Sequence, residues 1–232
     1  YGVEASIVPA TEPAAFEAAI QPNTRVIYLE SPGNPTLSLN DIRAIAKIAQ
    51  NQGLFTLVDN TFATPYNQRP IKLGADAVIH SATKFLGGHG DAIGGVIAGS
   101  TEFIDKVKGP IRQFGGCLSP FNAWLIARGL NTLPLRMARH NDNAVTIARW
   151  LETQSAVAWV RYPWLASHPQ VALAKQQMPG GGGGVVVFEL SGGITAGRIL
   201  LNRVDLCART VSLGDVRTLI THPASTTHHS VD

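Results

Sequence analysis

Four short, apolar-rich runs punctuate the first hundred residues: RVIYLE at 25–30, LFTLVDN at 54–60, ADAVIHS at 75–81 and IGGVIAG at 93–99. Each is too short for a buried helix and lacks the strict polar alternation of a half-solvated strand, so each reads as a strand covered on both faces. Between the first two, Ile42, Ile45, Ala46, Ile48 and Ala49 follow the helical period. Asn40 or Asp41 is placed to cap that helix and Gly53 to end it in the left-handed conformation. The intervening SPGNPTLS holds two prolines, which exclude a helix there. Strands alternating with helices predict an α/β fold with a mostly parallel sheet flanked by helices. Ligands of such sheets sit at the carboxyl ends of the strands. Three polar groups fall there: Glu30 with Asn34, Asp59 with Asn60, and Ser81 with Lys84.

After the sheet, LSPFNAWLIARGL reads as a helix with Ser119 as N-cap and Pro120 at its first position, and a longer helix follows from about Leu135 to Thr153. AVAWVRYP, SHPQVALAKQQM, VVVFELSGG, ITAGRILLNRV and SLGDVRTLI continue the alternation. We therefore expect a partial large domain over 1–136 and a partial, smaller C-terminal α/β domain over 137–232. The glycine run Gly180 to Gly184 lacks the Lys-Ser/Thr of a phosphate loop and is expected to be a flexible turn before a strand.

With 45% hydrophobic and 15% charged residues among 232, the chain has the material for a sizeable core. Its net charge of +3 is scattered and carries no basic block interleaved with aromatics, which argues against nucleic acid and suits a small anionic ligand. Cys117 and Cys207 form no CxxC pair, so a cytoplasmic location is expected. No run approaches the length of a membrane span, and YGVEASIVPATEP lacks the regions of a signal peptide. Starting without methionine and stopping at the polar TTHHSVD, the chain is expected to be truncated at both ends.

The stretch HSATKFLGGHGD is where chemistry concentrates. Taken alone, Lys84 reads as a surface lysine. Behind a buried strand, however, it is placed where a lysine can serve as a nucleophile. Pyridoxal phosphate enzymes need such a lysine for the Schiff base, a carboxylate facing the pyridine nitrogen and donors for the phosphate. Lys84, Asp59, and the pair Ser81 and Thr83 supply these in turn.

VDNTFATP, LGADAVIHSATKFLGGHGD, SPFNAWL, RGLNTLPLRMARH and VSLGD…HPASTTH together resemble the Cys/Met-metabolism family of pyridoxal 5'-phosphate enzymes over essentially the whole chain. Within it, GGCLSPFNAW, ASHPQVALAKQQM and GRILLNRVDLCARTVSLGD are most similar to the methionine γ-lyases. The resemblance implies a fold-type-I transferase architecture, Lys84 as Schiff-base lysine and proton shuttle, and Asp59 as pyridinium partner. It further implies Asn34 at the cofactor's phenolic oxygen, Ser81 and Thr83 at the phosphate, and Glu30 and Ser212 at the substrate.

The expected reaction is α,γ-elimination on L-methionine or a related sulfur amino acid, giving thiol, 2-oxobutanoate and ammonia. The alternatives are γ-replacement, of the cystathionine γ-synthase or O-acylhomoserine sulfhydrylase type, and a catalytically incomplete fragment with a binding or oligomer role. A homotetramer of dimers with shared sites is implied, without nucleic acid or membrane. The family's Tyr-x-Arg segment, glycine-containing phosphate loop, stacking tyrosine and late arginine have no match within 1–232; the first three are expected upstream and the arginine downstream. KGPIRQFGGC also lacks the Lys-Asp pair of methionine γ-lyases. His222, His228 and His229 have no carboxylate or thiol companion in a metal-binding spacing, so no metal is expected. His89 is expected to shape the loop after the lysine.

Overall fold

A computed structural model describes residues 2–9 and 11–226. Helix α1 (Pro13–Ala18) precedes β1 (Val26–Glu30), α2 (Ile42–Asn51) and β2 (Phe55–Asp59). The one-turn α3 (Thr64–Asn67) and a short 3-10 turn lead to β3 (Ala77–Ser81) and β4 (Gly95–Gly99). Asp41 is the residue that caps α2, accepting the Ala44 N–H at 3.0 Å, and Gly53 has the expected positive φ of 66°. Strand order is β1-β2-β3-β4, the first three parallel and β4 antiparallel to β3.

Strand alternation divides this sheet into two unlike faces. Ile27, Leu29 and Val58 point to one side and bury against Ile42, Ile45 and Ala49 of α2. At roughly 1.5–3 kcal/mol per fully buried large aliphatic side chain, this seam anchors the sheet. On the other side lie Val26 and Tyr28, both about half exposed, together with Glu30, Asp59 and Ser81. The expectation of helical cover on both faces is thus met on one, because among the described residues no helix shields Val26 and Tyr28.

Next come α4 (Thr101–Gln113), α5 (Pro120–Leu130) and α6 (Leu133–Glu152). Ser119 caps α5 as expected, accepting from the Asn122 N–H at 3.2 Å. Helix α6 begins two residues before Leu135, since Pro134 lies in a first turn where its missing N–H is harmless. It runs without a break through Met137.

Beyond it, β5 (Val157–Arg161), α7 (Val171–Gln177), β6 (Val187–Leu190) and α8 (Gly193–Arg203) are followed by the two-residue strands β7 (Ala208–Arg209) and β8 (Leu219–Ile220). β5 pairs antiparallel with β6, and Ala144, Ala148 and Leu151 of α6 pack with Val160 and Tyr162. No helix among the described residues is long and apolar enough to cross a membrane.

The glycine run turns before β6 but is not a loose linker. Gly181, Gly182 and Gly183 are buried. A Cβ on Gly180 would stand 2.5 Å from the Tyr66 carbonyl oxygen, one on Gly182 2.7 Å from the Tyr162 ring, and one on Gly184 2.9 Å from Phe85. Asn141 stitches the run down, donating to the Gly180 carbonyl at 2.9 Å and accepting from the Gly183 N–H at 2.9 Å. Close approach, more than flexibility, explains these glycines.

Candidate active site

Parallel pairing sets Glu30 opposite Asp59 at the carboxyl edge of β1 and β2, while Asp59 pairs with Ile79, two residues before Ser81 at the end of β3. Glu30, Asp59 and Ser81 therefore line one edge on the open face. Asp59 is fixed by the Thr61 N–H, which donates to Oδ1 at 2.9 Å, and by a longer contact of 3.5 Å from the Tyr28 hydroxyl to Oδ2. Thr61 also holds the neighbouring strand, its hydroxyl accepting the Ser81 N–H at 2.8 Å. The Ser81 hydroxyl itself has no partner among the described residues.

Charge is crowded here. Burial, with Asp59 and Glu30 nearby, pushes the Tyr28 phenol up to about 12. Burial also raises the Glu30 carboxyl; the Asn34 backbone N–H opposes this and the Asp59 charge adds to it. Asn34 is exposed in the loop after β1, between the cis peptides Ser31–Pro32 and Asn34–Pro35.

From Ser81 the chain enters a π-helical turn, Ala82–Leu86, in which Lys84 is the non-helical residue (φ −91°, ψ −130°). The Lys84 Nζ donates to the Ser212 Oγ at 3.1 Å, which joins two predicted site residues 128 positions apart. Thr83 closes the turn, its hydroxyl accepting the Gly94 N–H at 3.1 Å and donating to the Gly94 carbonyl at 3.4 Å. The ring of His89 hydrogen-bonds the Gly87 carbonyl through Nδ1 at 2.8 Å, in keeping with a loop-shaping role.

Sequence reasoning missed three contributors. Tyr28 and Thr61 orient the strand ends, and Tyr28 carried one signal, its period-two spacing from Glu30. Gly214 lets the Ser212 segment lie on the lysine turn, and nothing local announces that. Among the described residues no group of three or more His, Cys, Asp or Glu could hold a metal ion. His228 and His229 lie outside the described residues.

His80 is 7% exposed on the buried face of β3, and burial depresses its imidazole to about 4. The unfolded chain then binds the extra proton between about pH 6.5 and 4, so stability is fully present above 6.5 and is lost as pH falls toward 4, by on the order of 3 kcal/mol. A urea midpoint that falls across this window, and falls less in His80→Gln, is the expected result. Equal pH slopes in the two proteins would rule His80 out as the source.

The donor set can be tested against pyridoxal phosphate. It contains a primary amine for the aldehyde, a carboxylate with one lightly engaged oxygen for the pyridine nitrogen, and an unpartnered strand-end hydroxyl for the phosphate. These residues fit the group. A mostly parallel sheet whose carboxyl edge carries a carboxylate and a hydroxyl, followed by a lysine on a tight turn, is an α/β arrangement with the groups such a cofactor needs.

The model of the Cys/Met metabolism PLP-dependent enzymes matches residues 1–232, and the chain belongs to that family. It is 50% identical over 233 residues to L-methionine gamma-lyase of Porphyromonas gingivalis, covering 98% of this chain and 58% of that protein. It is 46% identical over 228 residues to O-succinylhomoserine sulfhydrylase of Pseudomonas aeruginosa, covering 98% and 56%. The crystal structure of cystathionine gamma-lyase from Lactobacillus plantarum complexed with L-serine superposes with a TM-score of 0.89 at 41% identity, over 96% of this chain and 58% of that one. The chain thus spans less than two thirds of the length of these relatives.

Proposed function

We propose that this chain is the greater part of a pyridoxal-phosphate-dependent carbon–sulfur lyase that converts L-methionine, or a related sulfur amino acid, and water into a thiol, 2-oxobutanoate and ammonia. The observation that carries this reading is the Lys84 amine held on the Ser212 hydroxyl beside a strand edge bearing Asp59 and Ser81. When bound, the cofactor supplies an electron sink for a carbanion at the substrate's Cα. Lys84 would bind it and Asp59 would keep its ring nitrogen protonated, with Ser81 and Thr83 at the phosphate and Asn34 at the phenolic oxygen. The Lys84 amine would take the Cα proton and help to remove a Cβ proton, and a proton would go to the sulfur as the Cγ–S bond breaks and the thiol departs. Ser212 sets the direction of that amine and helps to orient the substrate carboxylate. Glu30, on the same edge, borders the substrate pocket.

The division at residues 1–136 and 137–232, a homotetramer of dimers and a cytoplasmic location belong to the same proposal. Similarity to a sulfhydrylase keeps γ-replacement as a second reading. The test is 2-oxobutanoate release by the full-length protein from methionine, cystathionine and O-acylhomoserines, with and without added thiol. Elimination predicts release from methionine, or from cystathionine, with no thiol added. Product formed only from an O-acylhomoserine, and diverted by thiol, would establish replacement instead.

A further inference from the structure

We infer that Arg136 is a positioning residue for the Lys84 amine, acting through the main chain of the lysine turn. The inference rests on Lys84 being the reacting amine. Arg136 lies in the first turn of α6, and its guanidinium is spent on carbonyl oxygens. Its Nη1 donates to the Phe85 carbonyl at 2.7 Å, and its Nη2 donates to those of Leu86 at 3.4 Å and Gly129 at 2.8 Å, while Nε donates to the Thr132 hydroxyl at 3.0 Å. Among the described residues no carboxylate pairs with it, and burial lowers its pKa. Half-burial of this cation costs desolvation energy, which its hydrogen bonds to three carbonyls and one hydroxyl offset.

What it touches is the chain one and two residues past Lys84. The turn is built to admit it. Gly88 has φ +77°, and a Cβ there would stand 2.2 Å from Arg136 Nη1, so the glycine is the landing site for the guanidinium. A Cβ on Gly129 of α5 would stand 2.2 Å from the Gly87 carbonyl oxygen, so the helix presses on the same turn. On its far side Gly88 accepts the Val216 N–H at 3.0 Å, which ties it to the segment that carries Ser212. One guanidinium thus joins α5, α6 and the lysine turn, and through Gly88 it bears on the Lys84–Ser212 contact. A planar fork reaching several carbonyls at once is a geometry lysine cannot reproduce.

The test uses the full-length protein loaded with pyridoxal phosphate. Arg136→Ala is expected to lower kcat by about 10- to 100-fold, the cost of a misplacement on the order of 1 Å, with KM changed less than about two-fold. Millimolar guanidinium should restore part of kcat, while Arg136→Lys should stay impaired. In protein stripped of cofactor, pulse acetylation with acetic anhydride, read by peptide mass spectrometry, should label Lys84 faster in Arg136→Ala than in wild type. Should Arg136→Ala fail to fold, Arg136→Lys carries the same measurements. A folded variant with wild-type kcat and wild-type Lys84 labelling overturns the inference. So does a kcat loss that only tracks cofactor content and ignores guanidinium. Wild-type protein that binds no cofactor and releases no 2-oxobutanoate sinks the functional reading instead, and the labelling comparison still decides for or against Arg136.

Discussion

Full-length Lys84→Ala is expected to turn over at least about 10³-fold more slowly than wild type, because in the proposed mechanism the nucleophile and the positioned base are removed together. Its stability should change by no more than about 1.5 kcal/mol, since the side chain is only part-buried and makes one hydrogen bond, to Ser212. These two effects separate a chemical role from a structural one. The measurements are 2-oxobutanoate release, the visible absorption of the cofactor-loaded protein, and a urea titration. A variant that keeps both the wild-type absorption band and wild-type turnover would take Lys84 out of the reaction.

Gly214→Ala is expected to damage stability and turnover at once. Gly214 has φ +84°, and an added Cβ would stand 2.4 Å from the Phe85 nitrogen and 2.7 Å from the Lys84 carbonyl carbon. Both obstacles are backbone atoms of the lysine turn, so no flexible side chain can yield. The left-handed conformation costs roughly 1–2 kcal/mol and overpacking roughly 1–3, giving a loss of about 2–5 kcal/mol. The segment lifts, Ser212 leaves Lys84, and turnover falls by on the order of 10²-fold. Gly53→Ala is the matched control: its φ is +66°, but nothing lies within 4 Å of the new methyl. It should lose about 1–2 kcal/mol and no activity. Equal behaviour of the two variants would show that conformation alone, and not contact with the lysine turn, governs Gly214.

Much of the fold is written in local pattern. The strands lie where the apolar runs fall, Asp41 and Ser119 cap the helices they precede, and Glu30, Asp59 and Ser81 reach a common edge because parallel register brings strand ends level. Lys84 could be singled out from its neighbours in sequence. Ser212 could not; it entered through family resemblance, and only the fold brings its hydroxyl to the amine.

Arg136, Asn141 and Gly214 were silent for the same physical reason. The partners that matter here are main-chain atoms far away in sequence: the Phe85 carbonyl 51 residues from Arg136, the Gly180 carbonyl 39 from Asn141, and the backbone of Lys84 and Phe85 about 130 from Gly214, and no side-chain pattern encodes a carbonyl. The same holds for Gln170 and Gln177, whose amides donate to the Leu39 and Asn40 carbonyls at 2.6 and 3.0 Å and so bind α7 to the loop that carries Asn34. The glycine run was misjudged as flexible because crowding by Tyr162 and Asn141 is invisible until those residues are in place.

The 128-residue separation between Lys84 and Ser212 also has a meaning in time. On a ribosome adding roughly 5–20 residues per second, the lysine is made roughly 6–26 s before the serine whose hydroxyl its amine meets. During that interval the nascent strand edge exists without its strap. A cofactor arriving early meets an unaimed amine, so productive loading belongs after the later segment has docked. On the proposed roles, the site is complete only once synthesis has passed Ser212.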